Sequence, residues 1–154
     1  MYERILVALD GSAIAEKVLS YVEPMAQRFA SEIVILRATP SPGSIVASLS
    51  AGVDPETELA IDPTPIIEAE QEEASAYLEA VAERLRQAGY RARPEKPEGH
   101  AAEAILQYAR DQGVDLIAMS THGRGGLGRL VFGSVADEVL RSAPCPVLLL
   151  RASD

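Results

Sequence analysis

The fold is predicted first from one stretch, Ile5-Leu6-Val7-Ala8-Leu9-Asp10-Gly11-Ser12. Its five consecutive apolar residues predict a strand buried on both faces, because a strand with one wet face would alternate polar and apolar residues. Asp10-Gly11-Ser12 then predicts a turn, with Ser12 as the N-cap of a following helix. A buried strand that leads into a helix is typical of a parallel α/β sheet.

The same alternation of strand and helix continues along the chain. Apolar runs predict further buried strands at residues 33–36, 116–119 and 146–150, and a strand at 90–97 that two prolines restrict to a sheet edge. Apolar periodicity predicts helices at 14–29, 67–88, 101–112 and 134–142. We expect Pro24 to kink or shorten the first helix, and residues 39–66, which are rich in proline, to form a mostly irregular connection. The predicted fold is one domain over residues 1–154, a three-layer α/β sandwich around a five-stranded parallel sheet of order 3-2-1-4-5.

Composition excludes several classes of protein. The 154 residues carry 23 acidic and 14 basic side chains, for a formal charge of −9, which argues against binding to nucleic acid or to an anionic membrane. No apolar run approaches the roughly 20 residues of a membrane helix. Cys145 is the single cysteine, so a disulfide framework and a four-cysteine zinc site are excluded, and we expect a cytoplasmic protein.

The acidic residues are concentrated in one part of the chain. No lysine or arginine lies between Arg37 and Arg84, and the ten acids of that stretch leave 13 for the rest of the chain, against 14 bases. Residues 120–134 contain no acid, two arginines (Arg124 and Arg129) and several glycines. Glycines let backbone N–H groups approach an anion, and a helix that begins near Ser134 adds the positive end of its dipole. This segment therefore predicts a phosphate site, at the carboxyl ends of the strands where ligands of open α/β sheets bind.

Other phosphate-binding and catalytic classes lack their residues here. A P-loop needs Gly-Lys-Ser/Thr, and the glycine segment has no lysine. A dinucleotide fold needs Gly-x-Gly-x-x-Gly after the first strand, where only Gly11 is present. A phosphoacceptor receiver domain would need an acid after the third strand and a lysine after the fifth, and neither is found. Nothing places a Ser-His-Asp triad or a carboxylate pair, and we interpret His122 as a packing or backbone-bonding residue of its loop.

Four segments resemble the universal stress protein family, with its Rossmann-like fold. They are residues 5–12, the helix entry Gly99-His100-Ala101-Ala102-Glu103-Ala104-Ile105, the glycine segment, and the closing Ala143-Pro144-Cys145-Pro146-Val147-Leu148. Nucleotide-binding members carry Gly, two residues, Gly, nine residues, then Gly with Ser or Thr. Here Gly123 and Gly133-Ser134 match that spacing, and Ser120 replaces the first glycine.

The resemblance implies a site for ATP, or for ADP or AMP, with Mg²⁺. It implies that Ala8 and Leu9 lie along the nucleoside, that Asp10 lies near the ribose or a phosphate-bound Mg²⁺, and that Ala38 touches the adenine. The phosphates would be held by Gly123, Gly133, Ser134 and the amide of Val135. Met119 and Ser120 at the end of the fourth strand complete the set, and charge adds Arg124 and Arg129.

We therefore expect a regulatory protein of the stress response without catalytic residues, in which Mg²⁺ and a phosphate site support at most slow ATP hydrolysis. The sequence does not identify its protein partner. The resemblance implies that two copies pair antiparallel through the last strand, residues 147–150, whose apolar edge must be covered.

Each assignment has an alternative. Asp10 could serve only its turn or the cap of the first helix. The glycines could serve only tight turns. The whole protein could be a nucleotide-free module for dimerisation or partner binding, a hypothesis that Ser120 at the first glycine of the motif favours.

Overall fold

Five parallel strands form one sheet in the computed structural model, which describes residues 1–52, 62–122 and 133–152. Along the chain the strands are β1 (Arg4–Ala8), β2 (Glu32–Leu36), β3 (Arg91–Glu95), β4 (Leu116–His122) and β5 (Val147–Ala152). Every pairing is parallel, and the order across the sheet is β3-β2-β1-β4-β5. The predicted fold class and the order 3-2-1-4-5 are therefore confirmed.

Helices cover both faces of the sheet. The described helices are α1 (Ala13–Glu16), α2 (Leu19–Phe29), α3 (Pro42–Ser50), α4 (Thr64–Gln87), α5 (Ala101–Asp111) and α6 (Ser134–Ser142). One core packs α1, α2 and α4 against residues such as Ile5 and Val7, and a second core packs α5 and α6 against Leu6 and Ile117. Neighbours along β1 thus enter opposite cores, which is why its sequence is apolar at every position.

The first predicted helix is divided, and the division does not lie at its proline. A break at Lys17–Val18 separates α1 from α2, and α2 continues through Pro24. Pro24 cannot donate to the carbonyl of Ser20, four residues earlier. Both residues are exposed, so that carbonyl faces water and the helix tolerates the proline.

The connection predicted to be irregular contains a helix. Ser41 accepts a hydrogen bond from the amide of Ser44 at 3.4 Å, and Pro42 stands at the first position of α3, where its missing N–H costs no hydrogen bond. Ile45 anchors this helix in the interior. The prediction for residues 39–66 is thus wrong for Pro42–Ser50 and for the start of α4 at Thr64, whereas residues 53–61 lie outside the described part.

Pairing between β4 and β5 lengthens both strands beyond their apolar runs. β4 extends to His122 because Ser120 and Thr121 pair with Leu150 and Arg151 of β5. β3 lies at one edge, where Pro94 was expected, and β5 lies at the other. Within the described ranges, no helix is both long and apolar enough to cross a membrane.

Candidate functional site

A cavity of about 350 Å³ opens where β1 and β4 end side by side. The chain leaves β1 toward β2 on one side and returns to β4 on the other, so the cavity lies where the winding of the sheet reverses. Ligands of open α/β sheets bind in such a crevice.

Most of the described site candidates meet in this cavity. Predicted residues that line it are Ala8, Leu9, Asp10, Met119, Ser120, Gly133 and Val135. Lining residues that the sequence did not single out are Ala15, Ala101, Ile105, Thr121 and Ala136. Ala38 and Ser134 are not among the lining residues, although Ser134 stands between two that are. Gly123, Arg124 and Arg129 lie outside the described residues, as does the side chain of His122.

The turn after β1 places Asp10 at the rim of the cavity. The amide of Ser12 donates to Oδ1 of Asp10 at 2.8 Å, and the Ser12 hydroxyl accepts from the amide of Ala15 at 3.1 Å. Ser12 is therefore the N-cap of α1, as predicted, and Asp10 closes the turn. Asp10 is also exposed and lines the cavity, so closing the turn does not exclude contact with a ligand.

The guanidinium of Arg37 packs against this turn at Gly11. Arg37, directly after β2, lies over the ring of Tyr77 at 5.5 Å and 3.6 Å from a carboxylate oxygen of Glu73. Its Nη1 lies 2.9 Å from where a Cβ on Gly11 would stand. Sequence reasoning assigned Arg37 no role, and its signal was its place at the carboxyl end of a buried strand.

Tyr77 connects the same turn to α1. Its hydroxyl donates to Oε2 of Glu16 at 3.1 Å. Burial first, and then the charge of the Glu16 carboxylate, hold the pKa of the Tyr77 phenol well above its ordinary value. The phenol therefore stays protonated and remains a donor.

Two hydroxyls at the end of β4 contact different helices. Ser120 donates to the carbonyl of Ala15 at 3.3 Å, and Thr121 accepts from the amide of Gly133 at 3.4 Å. The last carbonyls of a helix have no N–H donor from a following turn, and Ser120 supplies a donor to one of these in α1, the carbonyl of Ala15. The hydroxyl that replaces the first glycine of the motif is thus engaged by the protein.

The first turn of α6 borders the cavity with amides for which no described residue is the acceptor. Gly133 is the N-cap and Ser134 the first helical residue, so the helix begins where the sequence predicts. The Gly133 carbonyl accepts from the amide of Asp137 at 3.0 Å, and Gly133 has no side chain that could cap the turn. The amides of Ser134, Val135 and Ala136 therefore have no acceptor within the helix. They form a positive helix end suited to an anion.

A second helix, α5, also begins at the cavity and lines it with apolar side chains. His100 is the N-cap of α5 and makes no side-chain cap, and Ala101 and Ile105 line the cavity. With Ala8, Leu9 and Met119 they make the lining mostly apolar. The arrangement suits a ligand with a flat apolar part and an anionic part. Among the described residues, no group of three or more His, Cys, Asp or Glu side chains could hold a metal ion.

These features define a class of protein. A doubly wound parallel sheet, with a cavity at its reversal point and an uncapped helix N-terminus behind a glycine, is typical of α/β proteins that bind phosphate-bearing ligands. The model of the universal stress protein family matches residues 1–151, and the chain belongs to this family.

Two relatives match this chain over almost their whole length. Universal stress protein YxiE of Bacillus subtilis is 31% identical over 151 residues, which are 98% of this chain and 100% of that protein. Universal stress protein MJ0577 of Methanocaldococcus jannaschii is 30% identical over 162 aligned positions, which cover 98% of this chain and 96% of that protein. The solved structure of MJ0577 has a TM-score of 0.77 to this chain at 26% identity, and the superposition covers 99% of this chain and 97% of that one.

Proposed function

We propose that this protein binds an adenine nucleotide, ATP with Mg²⁺ or else ADP or AMP, and acts as a regulatory protein of the stress response. One observation carries the proposal: a mostly apolar cavity ends on the first amides of α6, which have no acceptor among the described residues. Its volume, about 350 Å³, is within the roughly 300–1,000 Å³ of small-molecule sites. An anion at a helix N-terminus gains about 0.3–2 kcal/mol from the dipole.

The residues divide between the parts of the nucleotide. Ala8, Leu9 and Met119 supply apolar contact for the nucleoside, and the amides of Ser134 and Val135 are donors for phosphate oxygens. The carboxylate of Asp10 fits the ribose hydroxyls or Mg²⁺, which prefers oxygen ligands and is held through one or two carboxylates and the phosphates. Ala38, Gly123, Arg124 and Arg129 remain predicted contacts.

Two proteins of the same fold were solved with nucleotides. One universal stress protein is in complex with cAMP, at 19% identity and a TM-score of 0.63. The universal stress protein from Archaeoglobus fulgidus is in complex with dAMP, at 20% identity and a TM-score of 0.67. Identities this low establish the shared fold alone, so the proposal rests on the cavity of this chain.

Catalysis is not the main activity that we propose. Asp10 is the only titratable side chain among the described residues that line the cavity. General acid–base catalysis needs a positioned proton donor or acceptor at the reacting atoms. We therefore expect ATP hydrolysis to be slow at most, and nucleotide binding itself to be the signal that a partner protein reads.

We also propose a homodimer through residues 147–150. In the described part of the chain β5 pairs with β4 alone, and four of its residues are half-buried: Val147, Leu148, Leu149 and Leu150. An apolar edge strand of this kind invites pairing with another strand. A second copy of β5, antiparallel to the first, would cover both.

Gly133→Val tests the site. The described structure has no atom within 4 Å of a Cβ on Gly133, and its φ is negative, so the variant should fold. We expect the added side chain at the cavity to abolish ATP binding in a calorimetric titration while the dimer remains. Gly43→Val is the matched control, because Gly43 in α3 also has no atom within 4 Å of a Cβ. Unchanged ATP affinity of Gly133→Val would show that the phosphates bind elsewhere.

A further inference from the structure

Thr121 is a buried hydroxyl that the nucleotide proposal leaves unused. It is 8% exposed and is one of three buried polar residues in the described ranges, with Ser31 and Thr39. The hydroxyls of Ser31 and Thr39 donate to the backbone carbonyls of Tyr2 and Pro97. Thr121 instead accepts, from the amide of Gly133 at 3.4 Å.

This contact joins the two walls of the cavity. Thr121 is fixed in the sheet by pairing with Arg151, whereas Gly133 is the N-cap of α6. Successive residues of a strand point to opposite faces, so Ser120 reaches α1 on one face and Thr121 reaches α6 on the other. The end of β4 is thus linked to both helices beside the cavity.

The contact also determines which amides are free. Gly133 donates to Thr121, so its amide is occupied, and the amides of Ser134 and Val135 remain for an anion. Removing the acceptor would leave the Gly133 amide unpaired and the start of α6 without its link to β4.

We propose that Thr121 is a positioning residue of the nucleotide site: its hydroxyl holds the N-terminus of α6 at the end of β4, where the free amides meet the phosphate. The inference rests on the proposed function, since it concerns the same cavity. It extends that function by predicting that Thr121 acts on the phosphate part of the ligand and not on the nucleoside.

The test compares ATP–Mg²⁺ with adenosine, which has no phosphate. Thr121→Val removes the acceptor at nearly constant volume, and Thr121→Ser keeps the hydroxyl. We expect Thr121→Val to weaken the affinity for ATP about three- to tenfold, which corresponds to the loss of one hydrogen bond, and to leave the affinity for adenosine unchanged. Thr121→Ser should restore ATP affinity to near that of the parent protein. If Thr121→Val does not fold, Thr121→Ala takes its place against Thr121→Ser, because these two differ only in the hydroxyl.

Hydrogen exchange of the Gly133 amide in the ligand-free protein separates the two proposals. We expect faster exchange in Thr121→Val and parent-like exchange in Thr121→Ser. Unchanged exchange in Thr121→Val, or an equal loss of ATP and adenosine affinity, would overturn the role of Thr121 even if the parent protein binds ATP. Failure of the parent protein to bind ATP would overturn the proposed function, and with it the phosphate role of Thr121, whatever the exchange shows.

Discussion

At the scale of the residue, Gly11 shows why the turn after β1 needs glycine. Its φ is +89°, and a Cβ there would lie 2.9 Å from Nη1 of Arg37. Gly11→Ala should therefore lose about 1–2 kcal/mol to backbone strain, and some further stability because the Arg37 guanidinium must shift from its place over the ring of Tyr77. Gly89→Ala is the matched control, since Gly89 has φ +95° and no atom within 4 Å of a Cβ. Urea denaturation measures both, and equal losses would mean that Arg37 does not brace the turn.

Asp10 offers a second test at this scale, because its two roles need different properties. Asn retains an oxygen that can accept from the Ser12 amide, but it carries no charge. Asp10→Asn should keep the urea midpoint and weaken ATP–Mg²⁺ about tenfold, with a smaller effect on ATP measured without Mg²⁺. Titrations with and without Mg²⁺ decide the matter. Equal affinities for ATP–Mg²⁺ in the two proteins would support the alternative that Asp10 only closes its turn.

At the scale of the element, β5 tests the proposed dimer. Leu149 is half-buried on an edge strand, and a charge there would be desolvated between two copies. Leu149→Glu should therefore convert the dimer to a monomer, as measured by light scattering after size exclusion. Leu140→Glu is the control, because Leu140 on α6 is 40% exposed in the single chain and does not belong to the edge strand. A dimer that survives Leu149→Glu would place the interface on another surface.

Elements also show where local patterns failed. Prolines at 40 and 42 favour irregular chain in the sequence, but Ser41 is an N-cap and Pro42 is the first residue of α3. The sequence predicts that Pro24 kinks or shortens its helix; α2 continues through Pro24, because that side of the helix faces water. A proline is favourable at the first position of a helix and costs a hydrogen bond inside it, and composition alone does not distinguish the two positions.

At the scale of the whole molecule, the fold and half of the site follow from local sequence. Unbroken apolar runs such as Ile5–Leu9 predict a covered parallel sheet, and its carboxyl edge then predicts where Asp10, Met119 and Gly133 meet. The roles of Arg37 and Thr121 could not be predicted this way. Arg37 contacts Tyr77 and Gly11 only after distant segments pack together, and the same holds for Thr121 and Gly133. Periodicity along the sequence does not predict such contacts.

The distribution of charge also becomes a feature of the whole molecule. The acidic residues of α4 are largely exposed, and α4 packs on one face of the sheet whereas α6 packs on the other. The sheet therefore separates the acidic residues of α4 from the helix end that we propose for phosphate. A net charge of −9 is compatible with binding a small anion for this reason.

Nucleotide binding is tested most directly on the protein as purified. With five tyrosines and no tryptophan the chain absorbs weakly, so retained adenine would dominate its absorbance spectrum. We predict an adenine spectrum with a nucleotide released on denaturation, or, for protein that arrives empty, a rise in melting temperature with millimolar ATP–Mg²⁺. A protein that carries no nucleotide and whose melting temperature does not change with ATP–Mg²⁺ would contradict the proposal.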